Sequence, residues 1–264
     1  MPTVEFNFQD LSQLIGREFK PHELKDTISM LGTDLEDINS KSIIMEVFPD
    51  RPDLLSVEGF SRALEGTLGI NTGLKDYPVK ESGMKLLVDS SVKNVRPFIA
   101  SGIMRGVSIT GENLISLMDI QEKLHITHGR NRKKVAIGVH DLSRIEPPFL
   151  YRAVKPNELR FIPLDMHEEL TPGEILRRHP KGIGYAYVLQ DLDRYPIILD
   201  KNDNVLSFPP IINGELTRVS DNTKDIFIEI TGMEQRAVNQ ALNILVTSIA
   251  DRGGEIQSVE ILPR

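Results

Sequence analysis

Apolar positions in the first part of the chain recur at helical spacing in short runs. Phe8, Leu11, Leu14 and Ile15 predict one helix, and Leu24, Ile28 and Leu31 predict a second after Pro21. Ile43 to Val47 is mostly apolar and reads as a strand, closed by Phe48-Pro49-Asp50-Arg51-Pro52. Val57, Phe60, Leu64 and Leu68 then line one face of a third helix. The polar stretch from Asn71 to Gly83, with Pro78 inside it, has turn chemistry and is expected to be a linker.

Beyond it the pattern shifts to strand-like runs, Lys85 to Val88 and Phe98 to Ile109. Leu114, Leu117, Met118 and Gln121 mark an edge of a helix predicted from Glu112 to Leu124, and Val135 to Val139 predicts a buried strand. Thr171-Pro172-Gly173-Glu174 joins a hydroxyl cap, a proline at the first helical position and a glutamate that completes a capping box. Pro196 to Leu199 and Val205 to Phe208 flank a polar turn and predict a hairpin. Ile226 to Ile228 predicts a strand. Ala237 to Asp251 predicts a long helix, with Val238, Ala241, Leu245 and Ile249 inward, and Gln257 to Leu262 a closing strand. The sum is an α+β fold in two domains with mixed or antiparallel sheets, which a length of 264 residues accommodates.

Charge sharpens the division. Residues 1–84 hold 8 Lys and Arg against 15 Asp and Glu, whereas residues 85–264 hold 23 of each. An anionic ligand is therefore less repelled by the second part, and the first reads as an interaction and support module. From Lys123 to His140 there are five basic residues and no carboxylate, with Arg130, Arg132, Lys133 and Lys134 close together. Pattern alone makes such a run a solvated basic loop more often than a binding site.

Several chemistries fall away. With no cysteine there is no disulfide, thiolate metal site or cysteine nucleophile. Phosphate-loop, dinucleotide-fingerprint and metalloprotease motifs are absent, and no apolar run approaches the ~18–20 residues of a spanning helix. The chain from Met1 does not begin as a signal peptide, so a cytoplasmic protein is expected. His125 and His128 lie three apart, but a pair without a third ligand is weak support for metal, and no metal site is assigned. One constellation is more suggestive. The stiff segment from Leu206 to Gly214 precedes a strand in which Asp225, Phe227, Glu229 and Thr231 share a face. By pattern alone that strand reads as an edge with a solvated polar face.

The runs FPDRPDLLSVEG at 48–59, VAIGVHDL at 135–142 and LSFPPIING at 206–214, with the opening MPTV, resemble the β subunit of phenylalanyl-tRNA synthetase of the archaeal and eukaryotic type. The similarity runs end to end, and the chain is expected to be the N-terminal portion of that longer subunit, cut at Arg264. The resemblance implies a small α/β module over residues 1–80 (B1-like) and a larger mixed-sheet editing domain over 85–264 (B3/B4-like), the last strand returning to the first module. It further implies post-transfer editing, the hydrolysis of tyrosine wrongly esterified to tRNA(Phe).

On the same resemblance, Glu229 matches the acceptor for the tyrosine hydroxyl, and Ser207, Pro209, Pro210, Asn213 and Thr231 belong to segments lining its pocket. His140 matches a histidine near the tRNA end; it is the one catalytic candidate. Arg130, Arg132, Lys133 and Lys134 are expected to contact the tRNA backbone. The expected partners are tRNA(Phe) and an α subunit, in an α2β2 assembly. Aminoacylation, with its ATP and magnesium, belongs to the full synthetase, and this portion is expected to need no cofactor. The competing readings are a non-catalytic tRNA- or subunit-binding scaffold and a module that binds free amino acid.

Overall fold

The computed structural model describes residues 2–109 and 111–264; Met1 of the opening motif lies outside them. Strand β1 (Thr3–Asn7) passes into α1 (Phe8–Ile15), whose first N–H groups are capped by the Asn7 side chain and whose end is set by Gly16 at φ +70°. Helix α2 (Pro21–Ser29) begins at its proline. Strands β2 (Thr33–Ile38) and β3 (Ser42–Val47) follow, and the three strands form an antiparallel sheet in the order β1-β3-β2. Ile43, Met45 and Val47 alternate onto one face and are buried with Leu11, Ile28 and, from α3 (Val57–Thr67), Phe60. Each such side chain contributes about 1.5–3 kcal/mol by leaving water.

The rest of the chain builds one nine-stranded sheet. Its strands and helices are, in order, β4 (Val79–Val88), β5 (Phe98–Arg105), α4 (Gly111–Ile126), β6 (Val135–Asp141), β7 (Phe149–Val154), α5 (Pro172–Arg178), α6 (Pro180–Tyr185), β8 (Tyr195–Leu199), β9 (Val205–Phe208), β10 (Ile212–Asn213), β11 (Ile226–Gly232), α7 (Gln235–Asp251) and β12 (Glu255–Pro263). The spatial order is β10-β9-β8-β7-β4-β12-β5-β11-β6. The sheet is mixed: β4 runs parallel to β7 and β12, and the remaining pairs are antiparallel.

Three expectations need correction. Strand β4 starts at Val79, inside the stretch read as a linker, because Val79 and Lys80 pair with Ile256 and Gln257. The closing strand β12 does not return to the first module; it stands between β4 and β5 in the large sheet. Strand β11 is not an edge but lies between β5 and β6, buried along its whole length.

The sheet curls on itself. Phe149 and Tyr151 of β7, Ile198 of β8 and Leu206 of β9 pack in one cluster with Ile103 of β5 and Phe227 of β11, although these strands belong to opposite halves of the order. On the outer side of β5, β11 and β6, the helices α4 and α7 cover a core that continues without a break into the first module. Polar contacts tie the same boundary: the hydroxyls of Ser56 and Ser248 lie 3.0 Å apart, Arg252 pairs with Asp10 at 2.8 Å and with Glu58, and Arg62 pairs with Asp251.

Candidate functional site

Alternation along β11 sorts its side chains. Ile226, Ile228 and Ile230 join the core under α7, whereas Phe227, Glu229 and Thr231 point into the curled side of the sheet. Register then fixes the neighbours of Glu229: Ser101 of β5 on one side and Gly138 of β6 on the other. Curling brings Ser207 of β9 over this row, and its hydroxyl donates to Glu229 Oε1 at 2.8 Å. His140 Nε2 stands 3.7 Å from the same oxygen. Gly138 is what makes room. A Cβ there would fall on Glu229 Oε1, far inside van der Waals contact, and 2.7 Å from His140 Nε2.

The cluster is buried yet incompletely bonded. Glu229 is 2% and His140 0% exposed, and Glu229 Oε2, His140 Nε2 and Ser101 Oγ have no hydrogen-bond partner among the described residues. Thr217 lies 2.8 Å from His140 Nδ1 and has the carbonyls of Gly214 and Leu206 within reach of its own proton. The network therefore assigns a proton to Nδ1, donated to the Thr217 hydroxyl, while Nε2 faces the Glu229 carboxylate. An unpaired buried polar atom costs about 1–3 kcal/mol, so Glu229 Oε2, whose residue lines the cavity described next, favours a guest that carries a hydroxyl.

Glu229 and Ser207 close the inner end of a cavity of about 280 Å³. Pro209, Pro210 and Asn213, which the resemblance puts on pocket-lining segments, are part of its wall, with Asn213 Nδ2 donating to Val139 O at 3.2 Å. The peptide between the two prolines is cis. Met118, Lys181 and Arg218 are exposed and mark the mouth. The Lys181 ammonium is held below its ordinary value, by burial first and by the Arg132 guanidinium second. The cavity thus has a carboxylate at its base, which suits a ligand with a hydrogen-bond donor at its inner end. At its mouth Arg218 is paired with Asp165 at 2.6 Å and Glu215 at 2.7 Å, and Lys181 has no ion pair among the described residues.

Not every predicted site residue arrives there. The Thr231 hydroxyl is turned away from the cavity and accepts from Arg96 Nε at 2.9 Å. Arg132 is not presented on the surface with its neighbours. Arg130, Asn131 and Arg132 all have positive φ, and this turn drives the Arg132 side chain inward. Its guanidinium donates to the carbonyl of Ile211 at 3.0 Å and to Glu122 at 3.0 Å, and stacks 4.4 Å from the Tyr185 ring. It is a clamp on the proline segment as well as part of the cavity wall. Lys133 lies over the Tyr187 ring and Lys134 pairs with Glu234, leaving Arg130 and Lys133 the freer cations of the loop. The two histidines of the weak metal pair serve different backbone groups: His125 Nε2 accepts from Ile137 N at 2.8 Å, and His128 Nε2 lies 2.9 Å from Ala237 O. Burial pushes the His125 imidazole down to about 4.

Sequence reasoning missed Arg96, which is 2% exposed. It donates to the carbonyls of Thr231, Arg132 and Lys133 and so joins β11 to the basic loop. Burial pushes its guanidinium down to about 10, while Tyr151 and the Glu229 carboxylate pull the other way. Gly138 could have been found, since a glycine inside a strand pattern signals a close approach. Arg96 carries no such signal.

Comparison with known proteins agrees on one lineage. The family model for the B3/4 domain matches residues 104–250. Phenylalanine–tRNA ligase β subunits from Methanothrix thermoacetophila (48% identical over 265 residues) and Archaeoglobus fulgidus (47% over 266) each align with 99% of this chain. The chain spans about half the length of these curated relatives, 48% and 47%. The crystal structure of an N-terminal fragment of the phenylalanyl-tRNA synthetase β subunit from Pyrococcus horikoshii matches with a TM-score of 0.93 at 39% identity, over 100% of this chain and 77% of that one.

Proposed function

The chain belongs to the phenylalanine–tRNA ligase β-subunit family, and from that premise we propose that it edits, hydrolysing the ester between tyrosine and tRNA(Phe). The observation that carries this reading is the buried, under-bonded Glu229 carboxylate at the base of a cavity large enough for an aromatic side chain. A phenylalanine site elsewhere in the enzyme rejects tyrosine by only ~100-fold if apolar fit is its one criterion. A second pocket can invert the test. Here the tyrosine hydroxyl donates to Glu229 Oε2, and phenylalanine would leave that acceptor buried and unpaired.

The reaction asks little of the protein. Water attacks the carbonyl carbon of an activated ester, and the bond to the ribose oxygen breaks. Pre-positioning and stabilisation of the oxyanion carry most of the rate, with a ribose hydroxyl of the terminal adenosine orienting the water. His140 touches the carboxylate rather than the cavity mouth where the ester would lie, so its role is to shape the hydroxyl pocket. Lys181 at the mouth, with Arg130 and Lys133 beyond it, faces the tRNA backbone. The full subunit acts with an α subunit in the cytoplasm. Among the described residues no group of three His, Cys, Asp or Glu side chains is placed to hold a metal ion; the ATP and magnesium of aminoacylation are assigned to the full synthetase. No helix of the described residues is long and apolar enough to cross a membrane. The test is deacylation of tyrosyl-tRNA(Phe) and phenylalanyl-tRNA(Phe) by this chain alone. Preferential release of tyrosine is expected; tRNA binding without release of either amino acid would make the chain a scaffold.

A further inference from the structure

A groove of about 410 Å³ separates the first module from the loop that follows α4. Phe48, Pro49 and Pro52 form one wall, and His128, Arg130 and Lys134 form the other; no carboxylate lines it. Phe48 is 36% exposed next to Pro49, and Arg130 is exposed with no ion pair among the described residues. On the far side of the same loop lies a second exposed aromatic, Tyr187, with Lys133 over its ring and its hydroxyl donating to Asn131 O at 3.2 Å. The loop that gives Arg130 and Lys134 to the groove gives Arg132 to the ester cavity, so groove and cavity are the two sides of one turn.

We infer that the groove is a binding site for the single-stranded nucleotides just before the esterified end of an RNA, with Phe48 as a stacking platform and Arg130 as a phosphate contact. This rests on an RNA ester being the substrate, as proposed above. Lys134 is offset by Glu234, but the unpaired Arg130 of that wall asks for an anion, and the part-exposed Phe48 ring beside Pro49 asks for a flat apolar partner. A nucleotide supplies both in one repeating unit. An acidic peptide meets the first demand without the second.

Equilibrium binding of a short, fluorescently labelled single-stranded RNA ending in CCA tests the site, measured across a salt series with thermal melting as a folding control. Phe48→Ala is expected to weaken binding about ten- to a hundredfold with the salt slope unchanged, and Phe48→Tyr to restore it. Arg130→Ala should reduce the slope of log affinity against log salt by about 0.7, the share of one phosphate on a single strand. An unaltered chain that does not bind this RNA, or alanine variants that bind it with unchanged affinity and slope, would overturn the inference, including where the same variants lose a protein partner instead. A chain that binds RNA through Phe48 and yet releases no tyrosine supports this site and removes the editing reading alone.

Discussion

Glu229→Ala takes away the carboxylate at the base of the cavity. In the native protein Oε1 is occupied by the Ser207 hydroxyl and Oε2 has no internal partner, so Oε2 is the atom left to receive a guest hydroxyl. A hydrogen bond to a charged acceptor in a site this dry is worth ~1.5–3 kcal/mol, or about ten- to a hundredfold in discrimination. The measurement is kcat/KM for deacylation of tyrosyl-tRNA(Phe) and of phenylalanyl-tRNA(Phe), with thermal melting to confirm folding. The alanine variant should lose most of the preference between the two while retaining some hydrolysis of both, because the groups that orient water are elsewhere. Glu229→Gln keeps the shape and a neutral acceptor; a neutral bond is worth ~0.5–1.5 kcal/mol, so roughly fivefold of preference should go. A carboxylate with only a structural role, buried and bonded to Ser207, would change stability when removed but leave preference untouched. Wild-type selectivity in Glu229→Ala would refute the reasoning and move the acceptor to Ser207 or Asn213, since Thr231 is committed to Arg96.

Gly138→Ala should displace the same carboxylate from outside, erasing tyrosine preference and lowering stability by ~1–3 kcal/mol in a denaturant titration; an unchanged preference would show that Glu229 can give way without consequence. Arg132→Met removes the donor to the Ile211 carbonyl and the stack on Tyr185, so amide hydrogen exchange should quicken across residues 211–213 before it changes in α7. Acid should destabilise the protein through His125. Its folded value of about 4 lies below the ordinary 6.5, so the unfolded chain binds the extra proton. The resulting stability, about 3 kcal/mol, is fully present above pH ~6.5 and is lost as pH falls from there towards 4. Glu122, held down to about 2 chiefly by the His125 imidazole 3.5 Å away, adds its own loss only below the ordinary carboxylate value of 4.5. Urea midpoints between pH 4.5 and 6.5 should therefore slope in the native protein and flatten in His125→Asn.

Local chemistry made much of the fold legible. The Thr171–Glu174 capping box, the hairpin of β8 and β9, and the helices opening at Phe8 and Pro21 rest on contacts between near neighbours in sequence, and the structure has them. Strand β2 was missed because its run TDLEDI has a register shift between Leu35 and Asp37 that breaks the alternation. The character of β11 was misjudged for a different reason. Its carboxylate and hydroxyl look like a solvated edge until β9, twenty residues away in sequence, folds over them, and pattern on one strand cannot report a strand that covers it. Arg132 is the same lesson at a turn. Its charge is visible in the sequence, but its direction comes from three successive left-handed residues, which no composition rule anticipates.

The closing strand has a consequence for the birth of the protein. Strands β10 to β4 and strands β5 to β6 form two half-sheets, and β12 is the seam that hydrogen-bonds both. Until it leaves the ribosome, β4 and β5 each present a row of unpaired amides and carbonyls, open to any neighbouring chain. The partners that β12 then finds on β4 were synthesised some 175 residues earlier, as the pairing of Ile256 with Val79 requires, so sheet closure is a slow, late and non-local event. The nascent chain is most vulnerable to association with its own kind during that interval, and a stop codon placed just before Glu255 would make the interval permanent.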